Sequence, residues 1–211
     1  MTVPPHKQAQ EAGETRPLDS AGTKITLGAD RTDDEGSRPA RHDGLVSTEL
    51  TPELATTIEE AFSRRDRENM QPTIDFFEDL LTRHPGNPYV LYEVGGSYDT
   101  AGQEEKALEY YEQALPGLTG DIRRKCLLQY GSTLRNLDRF DESLEVFKKA
   151  CEEFPESDSL RVFKALTLHA AGRHDKALAT LLLVISDRVE TPDLKRYEAS
   201  LRANAHHLAS L

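Results

Sequence analysis

The stretch LYEVGGSYDTAGQEEKALEYYEQAL, residues 91–115, combines small residues, a turn and an aromatic residue at regular spacing. Gly95 is followed after twelve positions by Ala107 and after four more by Tyr111. Ala101-Gly102 lies between them, where two helices would need a tight connection. Small side chains on both helices would let the backbones approach closely, and the aromatic ring would fill the space beside them. The stretch therefore predicts an antiparallel pair of helices.

The same arrangement recurs along the chain at intervals of 34, 36 and 34 residues. The first small residue is Ala61, Gly95, Gly131 or Ala165, the second position is Thr73, Ala107, Ser143 or Ala177, and the bulky one is Phe77, Tyr111, Phe147 or Leu181. A period near 34 residues is typical of helical repeat arrays. Because one helix pair leaves an apolar face uncovered, the units are expected to stack.

This pattern resembles that of tetratricopeptide repeat proteins over about residues 51–209. The resemblance implies an all-α protein, a solenoid of about four antiparallel helix pairs with a C-terminal capping helix. The repeat's usual tryptophan is absent, and its positions hold Leu91, Leu127 and Arg161. Residues 117–124, 132–137 and 197–201 further resemble a bacterial group of small tetratricopeptide proteins that has no established biochemical role.

The chain divides by composition into a tail and a periodic domain. Residues 1–46 contain four prolines and no Phe, Tyr or Trp, so we expect them to be disordered. The tail has six Lys and Arg against eight Asp and Glu, so the remainder carries −11 − (−2) = −9. Residues 47–211 form the predicted repeat domain, with units at about 54–87, 88–123, 124–157 and 158–191 and a capping helix at 192–209.

Composition and motifs argue against several classes of function. The net charge of −11 argues against a nucleic-acid partner, which would need clustered cations. Cys126 and Cys151 show neither a disulfide framework nor metal spacing. The first residues lack the apolar segment of a signal peptide, and no apolar run is long enough to span a membrane, so we expect a soluble, cytoplasmic protein without a secretory signal. Familiar catalytic motifs are missing, so we predict no enzyme activity, no cofactor and no metal.

The first helices of the units are expected to line a concave groove that binds a protein partner, either as an extended peptide or as a helix. Arg135 and Asn136 would pair with backbone or carboxylate groups of that partner. The blander interpretation is a solvated polar face with no ligand. The predicted groove residues are Tyr89, Tyr92, Glu93, Asp99, Lys125, Gln129, Ser132, Arg135, Asn136, Phe163, Leu166 and His169.

Three alternatives stay open at this point. The protein could form homodimers through an uncovered end helix, or it could hold a compact ligand near Lys125, Arg135 and Tyr92 as a sensor or an unrecognised enzyme. The C-terminal helix could lie in the groove instead of capping the array.

The cations Arg123 to Lys125 oppose the dipole of their helix, and we expect acidic neighbours on the preceding helix, such as Glu109 or Glu112, to pair with them.

Overall fold

A computed structural model describes residues 48–211, and the predicted tail lies outside the described residues. The described part contains nine α-helices and no strand. A single 3₁₀ turn, Leu115–Gly117, follows the fourth helix. The helices are α1 (Pro52–Arg64), α2 (Gln71–Arg83), α3 (Pro88–Thr100), α4 (Glu104–Ala114), α5 (Gly120–Asn136), α6 (Phe140–Glu153), α7 (Asp158–Ala170), α8 (His174–Arg188) and α9 (Pro192–Ala209). This order confirms the all-α repeat solenoid.

Polar caps and prolines begin three of the helices. The Oγ1 of Thr51 accepts from the backbone N–H of Leu54 at 3.2 Å, and Thr191 repeats this contact at the start of α9. At the start of α3, the Asn87 side chain accepts from two backbone N–H groups. Each cap precedes a proline in the first turn, where its missing N–H leaves no helical hydrogen bond unmade.

The turns inside the second, third and fourth units share one conformation. Gly102, Asp138 and Gly172 occupy equivalent positions and have φ of 71°, 58° and 74°. The following backbone N–H bonds back to a carbonyl five residues earlier, for example from Arg139 to Leu134 at 2.9 Å. This residue in the left-handed conformation ends the first helix, and the second helix then runs antiparallel to it.

The two helices of a unit approach closely at a glycine, as predicted. A Cβ added at Gly95 would lie 2.8 Å from the ring of Tyr111, and one at Gly131 would lie 2.7 Å from the ring of Phe147. Both rings are fully buried. The small residue on the first helix therefore makes room for the bulky residue on the second, as the sequence spacing predicted.

Neighbouring units stack through consecutive helices, and the core extends along the array as three clusters of buried side chains. The helices of the second to fourth units pack closely in pairs, whereas α1 packs on α2 much less extensively. Leu54 and Ile58 on α1 are nevertheless buried in the first cluster. The first helix of the third unit, α5, begins at Gly120. This start lies inside the stretch 88–123 that the sequence assigned to the second unit.

The last helix packs along α8. Leu194, Leu201 and Leu208 of α9 are half-buried, and Arg202 reaches Asp187 of α8 at 2.9 Å. Tyr197 of the same helix is 55% exposed. On an ideal α-helix, Tyr197 lies about 60° from Leu194 and about 40° from Leu201.

Candidate protein-binding groove

Three first helices, α3, α5 and α7, carry the predicted groove residues. Asp99, Arg135 and His169 lie at equivalent positions near the ends of these helices, 36 and 34 residues apart. Packing joins α3 to α5 and α5 to α7. The solenoid therefore sets a carboxylate, a guanidinium and an imidazole in one row across three units.

Asp99 is the acidic residue of this row, and its pKa is raised in the fold. Its carboxylate accepts from the Oγ1 of Thr133 on α5 at 3.0 Å. Burial raises the pKa of Asp99 to about 6, and Glu104 adds to this effect, whereas Thr133, Tyr111 and Arg135 oppose it. The buried Tyr111 hydroxyl is close enough to act on this carboxyl but does not meet the geometry of a hydrogen bond.

Arg135 lies beside an aromatic ring. Its guanidinium carbon is 5.8 Å from the centre of the Phe163 ring on α7, within the range of a cation–π contact. Burial lowers the pKa of Arg135, and Asp99 acts in the opposite direction. Among the described residues, its buried Nη1 and the buried Oε1 of Gln129 have no hydrogen-bond partner.

The predicted groove residues differ in accessibility. Asn136 and His169 are exposed, and Tyr89, Asp99, Lys125, Gln129, Arg135, Phe163 and Leu166 are partly exposed. Tyr92, Glu93 and Ser132 are buried: the Tyr92 ring lies 6.2 Å from that of Tyr111, and the Ser132 hydroxyl donates to the Leu128 carbonyl at 2.8 Å. These three side chains pack beneath the surface and contribute little to its exposed area.

The cations at the start of α5 pair differently from the prediction. Lys125 and Arg124 both bind Asp121 in the first turn of α5 at 2.7 Å, and Arg123 binds Glu153 on α6 at 2.7 Å. The expected partners on the preceding helix are wrong, because α5 begins early enough to bring Asp121 within one turn. Lys125 lies ten residues from Arg135, about 15 Å along the helix, so the two do not share a compact site.

Sequence reasoning missed three residues that shape this surface. Tyr111 was predicted only as a packing residue and Thr133 was given no role, although both face Asp99. Arg65, in the α1–α2 turn, lies against the Phe62 ring at 3.5 Å. Burial and Arg67 lower the pKa of Arg65, whereas Glu93 and Tyr92 raise it, which places this arginine beside α3. No sequence signal indicated that Arg65 lies near Tyr92 and Glu93, because those two residues belong to another unit.

The described residues contain no group of three or more side chains able to hold a metal ion. The Nδ1 atoms of His169 and His174 lie 3.1 Å apart, a distance that suits a hydrogen bond in which one ring nitrogen donates and the other accepts.

A family model described as tetratrico peptide repeat matches residues 88–208, more than half of the 211-residue chain. The chain belongs to the tetratricopeptide repeat family. Such repeats generally mediate protein–protein interactions and are typically not enzymes. No curated protein matches this tetratricopeptide repeat chain, and the narrower resemblance to a bacterial group stays a prediction. In the described range, every helix is too short or too polar to cross a membrane.

Proposed function

We propose that this tetratricopeptide repeat protein is a non-enzymatic adaptor that binds a segment of another protein along α3, α5 and α7. The row of Asp99, Arg135 and His169 carries the proposal, because it gives three consecutive units one continuous polar surface. Phe163 and Leu166 add partly exposed apolar area beside that row. An extended peptide or a helix matches a surface that repeats from unit to unit.

Three features support this proposal. The family generally binds proteins. Leaving a buried polar atom without a partner costs about 1–3 kcal/mol, and Gln129 and Arg135 both have such atoms in the described structure. A ligand that supplied partners, directly or through a small rearrangement, would recover part of that free energy. Cys126 and Cys151 are free thiols, which fits the cytoplasm as the proposed location.

The proposal is tested by quantitative affinity capture with the full chain as bait. The groove variant combines Arg135→Gln with Asn136→Ala and leaves buried Tyr92 intact. The control is Arg139→Gln, which removes an arginine whose partner is the exposed Glu142 at 2.7 Å. We expect a protein that is enriched by wild type and by the control but lost with the groove variant. A partner retained equally by the groove variant would place binding elsewhere and reject the proposed groove.

Self-association is a second candidate, favoured by exposed apolar residues on α8. Leu178 is 49% exposed, although its equivalents Ile74, Leu108 and Leu144 are all buried. Ile185 on the same side of α8 and Val189, directly after the helix, are also exposed. Light scattering of the full chain tests this candidate. A mass of twice the 23.6 kDa chain would support it, and a constant single-chain mass would dismiss it.

A further inference from the structure

Two exposed histidines face each other at the turn between α7 and α8. His169 lies in the last turn of α7, and His174 is the first residue of α8. Their Nδ1 atoms are 3.1 Å apart, and the centres of their rings are 4.7 Å apart. Among the described residues, each ring has the other as its hydrogen-bond partner. The pair therefore directs two imidazole nitrogens at the same small, solvent-accessible volume.

The turn holds the backbone on both sides of this pair. Gly172 has a left-handed φ of 74°, and its backbone N–H donates to the His169 carbonyl at 3.0 Å. The backbone N–H of Arg173 donates to the Leu168 carbonyl at 2.8 Å. Because the two side chains start from fixed points, holding their rings together costs little more than the entropy of the side-chain torsions.

The repeat itself brings the side chains at these two positions together. In the second unit the equivalent residues are Asp99 and Glu104, and Glu104, after burial, helps to raise the pKa of Asp99. The third unit has Arg135 and Phe140 at these positions. Of the four units, only the fourth has histidine at both. The fold therefore supplies the close approach, and the fourth unit supplies two ligating side chains.

The separation of the two nitrogens suits a metal ion. Two nitrogens that each bind one Zn²⁺ ion at about 2.0–2.1 Å, with an angle of about 90–109° between them, are about 2.9–3.4 Å apart. A neutral imidazole with its proton on Nε2 leaves the lone pair of Nδ1 free for a metal. The χ2 torsion of histidine is soft, so a small rotation of each ring directs both lone pairs at one ion.

The surrounding charges permit a cation at this position. Arg173, next to His174, binds Asp141 of α6 at 2.6 Å, so its positive charge is balanced. The carboxyl end of α7 attracts a cation and the amino end of α8 repels one, so the two helix dipoles oppose each other here. Binding is therefore decided by the two imidazoles.

We propose that His169 and His174 bind a late first-row divalent metal ion, such as Zn²⁺, Ni²⁺ or Cu²⁺, through their Nδ1 atoms. Imidazole suits all three ions, whereas Mg²⁺ and Ca²⁺ take oxygen ligands. Water completes the coordination, because no third His, Cys, Asp or Glu of the described residues joins the pair. The ion links α7 to α8 at their turn, and the site is independent of the groove function. It departs from the prediction of no metal, because sequence motifs do not describe two histidines joined by a turn.

Isothermal titration calorimetry of the full chain with Zn²⁺ at about pH 7.5 tests the site, since ligating imidazoles must be neutral. The test variants are His169→Gln and His174→Gln. The control combines His206→Gln with His207→Gln, which removes two adjacent, exposed histidines of α9. Because two ligands held side by side bind one ion as a chelate, each test variant should weaken this site about 100-fold. The control should bind as wild type does, and any other sites of the chain contribute equally to all these proteins.

Urea unfolding supplies a second measurement that depends on the folded pair. An ion that binds the folded protein stabilises it, so about 1 mM Zn²⁺ should raise the urea midpoint of wild type and control more than that of either test variant. Without the ion, all four proteins should show the same helix content by circular dichroism, since both histidines are exposed.

Three outcomes would overturn the proposal. The first is a wild type that binds no Zn²⁺, and the second is a Zn²⁺ isotherm that neither test variant changes. The third is loss of the site in one test variant but not in the other, which would make a single histidine the ligand and reject the paired site.

Discussion

At the scale of single residues, Asp99 is the predicted groove residue whose carboxyl pKa the fold raises. The carboxyl is largely withdrawn from water between α3 and α5. Among the described residues its hydrogen-bond donor is the Thr133 hydroxyl, which also lies 2.9 Å from the Gln129 carbonyl oxygen. A buried carboxylate is poorly solvated, so its neutral form gains relative to water. The pKa of about 6 is therefore a property of the packing between two units.

Replacing Asp99 by Asn gives a pH-dependent stability difference. Because the pKa of Asp99 is raised from 3.8 to about 6, the folded protein holds this proton more tightly than the unfolded chain does. Its contribution to stability is therefore largest at acidic pH and is lost as the pH rises through about 6. Relative to wild type, Asp99→Asn should gain about 2 kcal/mol between pH 4.5 and 7.5.

Urea unfolding followed by far-UV circular dichroism at the two pH values measures this gain. Taking the difference between variant and wild type cancels other titrating groups, such as Asp121 and Asp187, whose pKa values are lowered in the fold. An Asn amide keeps an oxygen that can accept from Thr133. A variant that differs from wild type by the same amount at both pH values would contradict the buried-carboxyl account.

At the scale of helices, each unit depends on how closely its two helices approach. Ser143 at the second small position donates to the Gly131 carbonyl at 2.6 Å and also contacts Thr167 of the next unit at 3.1 Å. One short side chain thus joins two units. A larger residue there or at Gly131 would separate α5 from α6.

Gly131→Ala and Gly96→Ala should change stability in opposite directions. A Cβ at Gly131 would lie 2.7 Å from the fully buried ring of Phe147, which has no room to move, so we expect a loss of about 1–3 kcal/mol. A Cβ at Gly96 would meet only the Tyr111 hydroxyl at 3.9 Å, an ordinary contact. Alanine is the better helix former there, so a gain of about 0.8–1 kcal/mol is expected.

Urea denaturation of the two variants at one pH provides the comparison. Since both substitutions add the same methyl group to a glycine inside a helix, Gly96→Ala is the matched control. Destabilisation of equal size at both sites would mean that close approach at Phe147 is not what requires glycine.

At the scale of the whole molecule, stability should vary along the array, because each unit contacts mainly its neighbours. The two ends differ. At the C-terminal end, α9 packs along α8, and Arg202 reaches Asp187. At the N-terminal start of the described range, α1 packs sparsely on α2, and Phe62 remains 47% exposed. The first unit is therefore the least supported.

Hydrogen exchange followed by mass spectrometry tests this gradient. In the full chain, backbone amides of α1 should exchange at least about tenfold faster than those of α3, because local opening of a sparsely packed helix costs less free energy. α9 is the matched control, since it also ends the described array but packs more extensively. Protection of α1 equal to that of α3 would show that the first unit is as stable as the interior.

Much of this fold could be predicted from local sequence. The spacing of Gly95, Ala107 and Tyr111 gives the helix pair, because contacts between adjacent helices depend on which residue types come at fixed intervals. The local sequence also specifies the starts of α1, α3 and α9, because a polar cap followed by proline stands at each of them. The left-handed turns followed from Gly102 and Gly172, with Asp138 as the tolerated exception.

The sequence alone determined that this protein is a stacked array of helix pairs, because periodic packing follows from periodic residue types, and it predicted a groove along the first helices. Only the tertiary structure decided which of the predicted groove residues are exposed and which charges are paired. Tyr92 and Glu93 are buried, Lys125 pairs with Asp121, and Arg135 is left beside Asp99 and Phe163. Burial and charge pairing depend on side chains that arrive from other units, and repeat spacing does not specify where those side chains end.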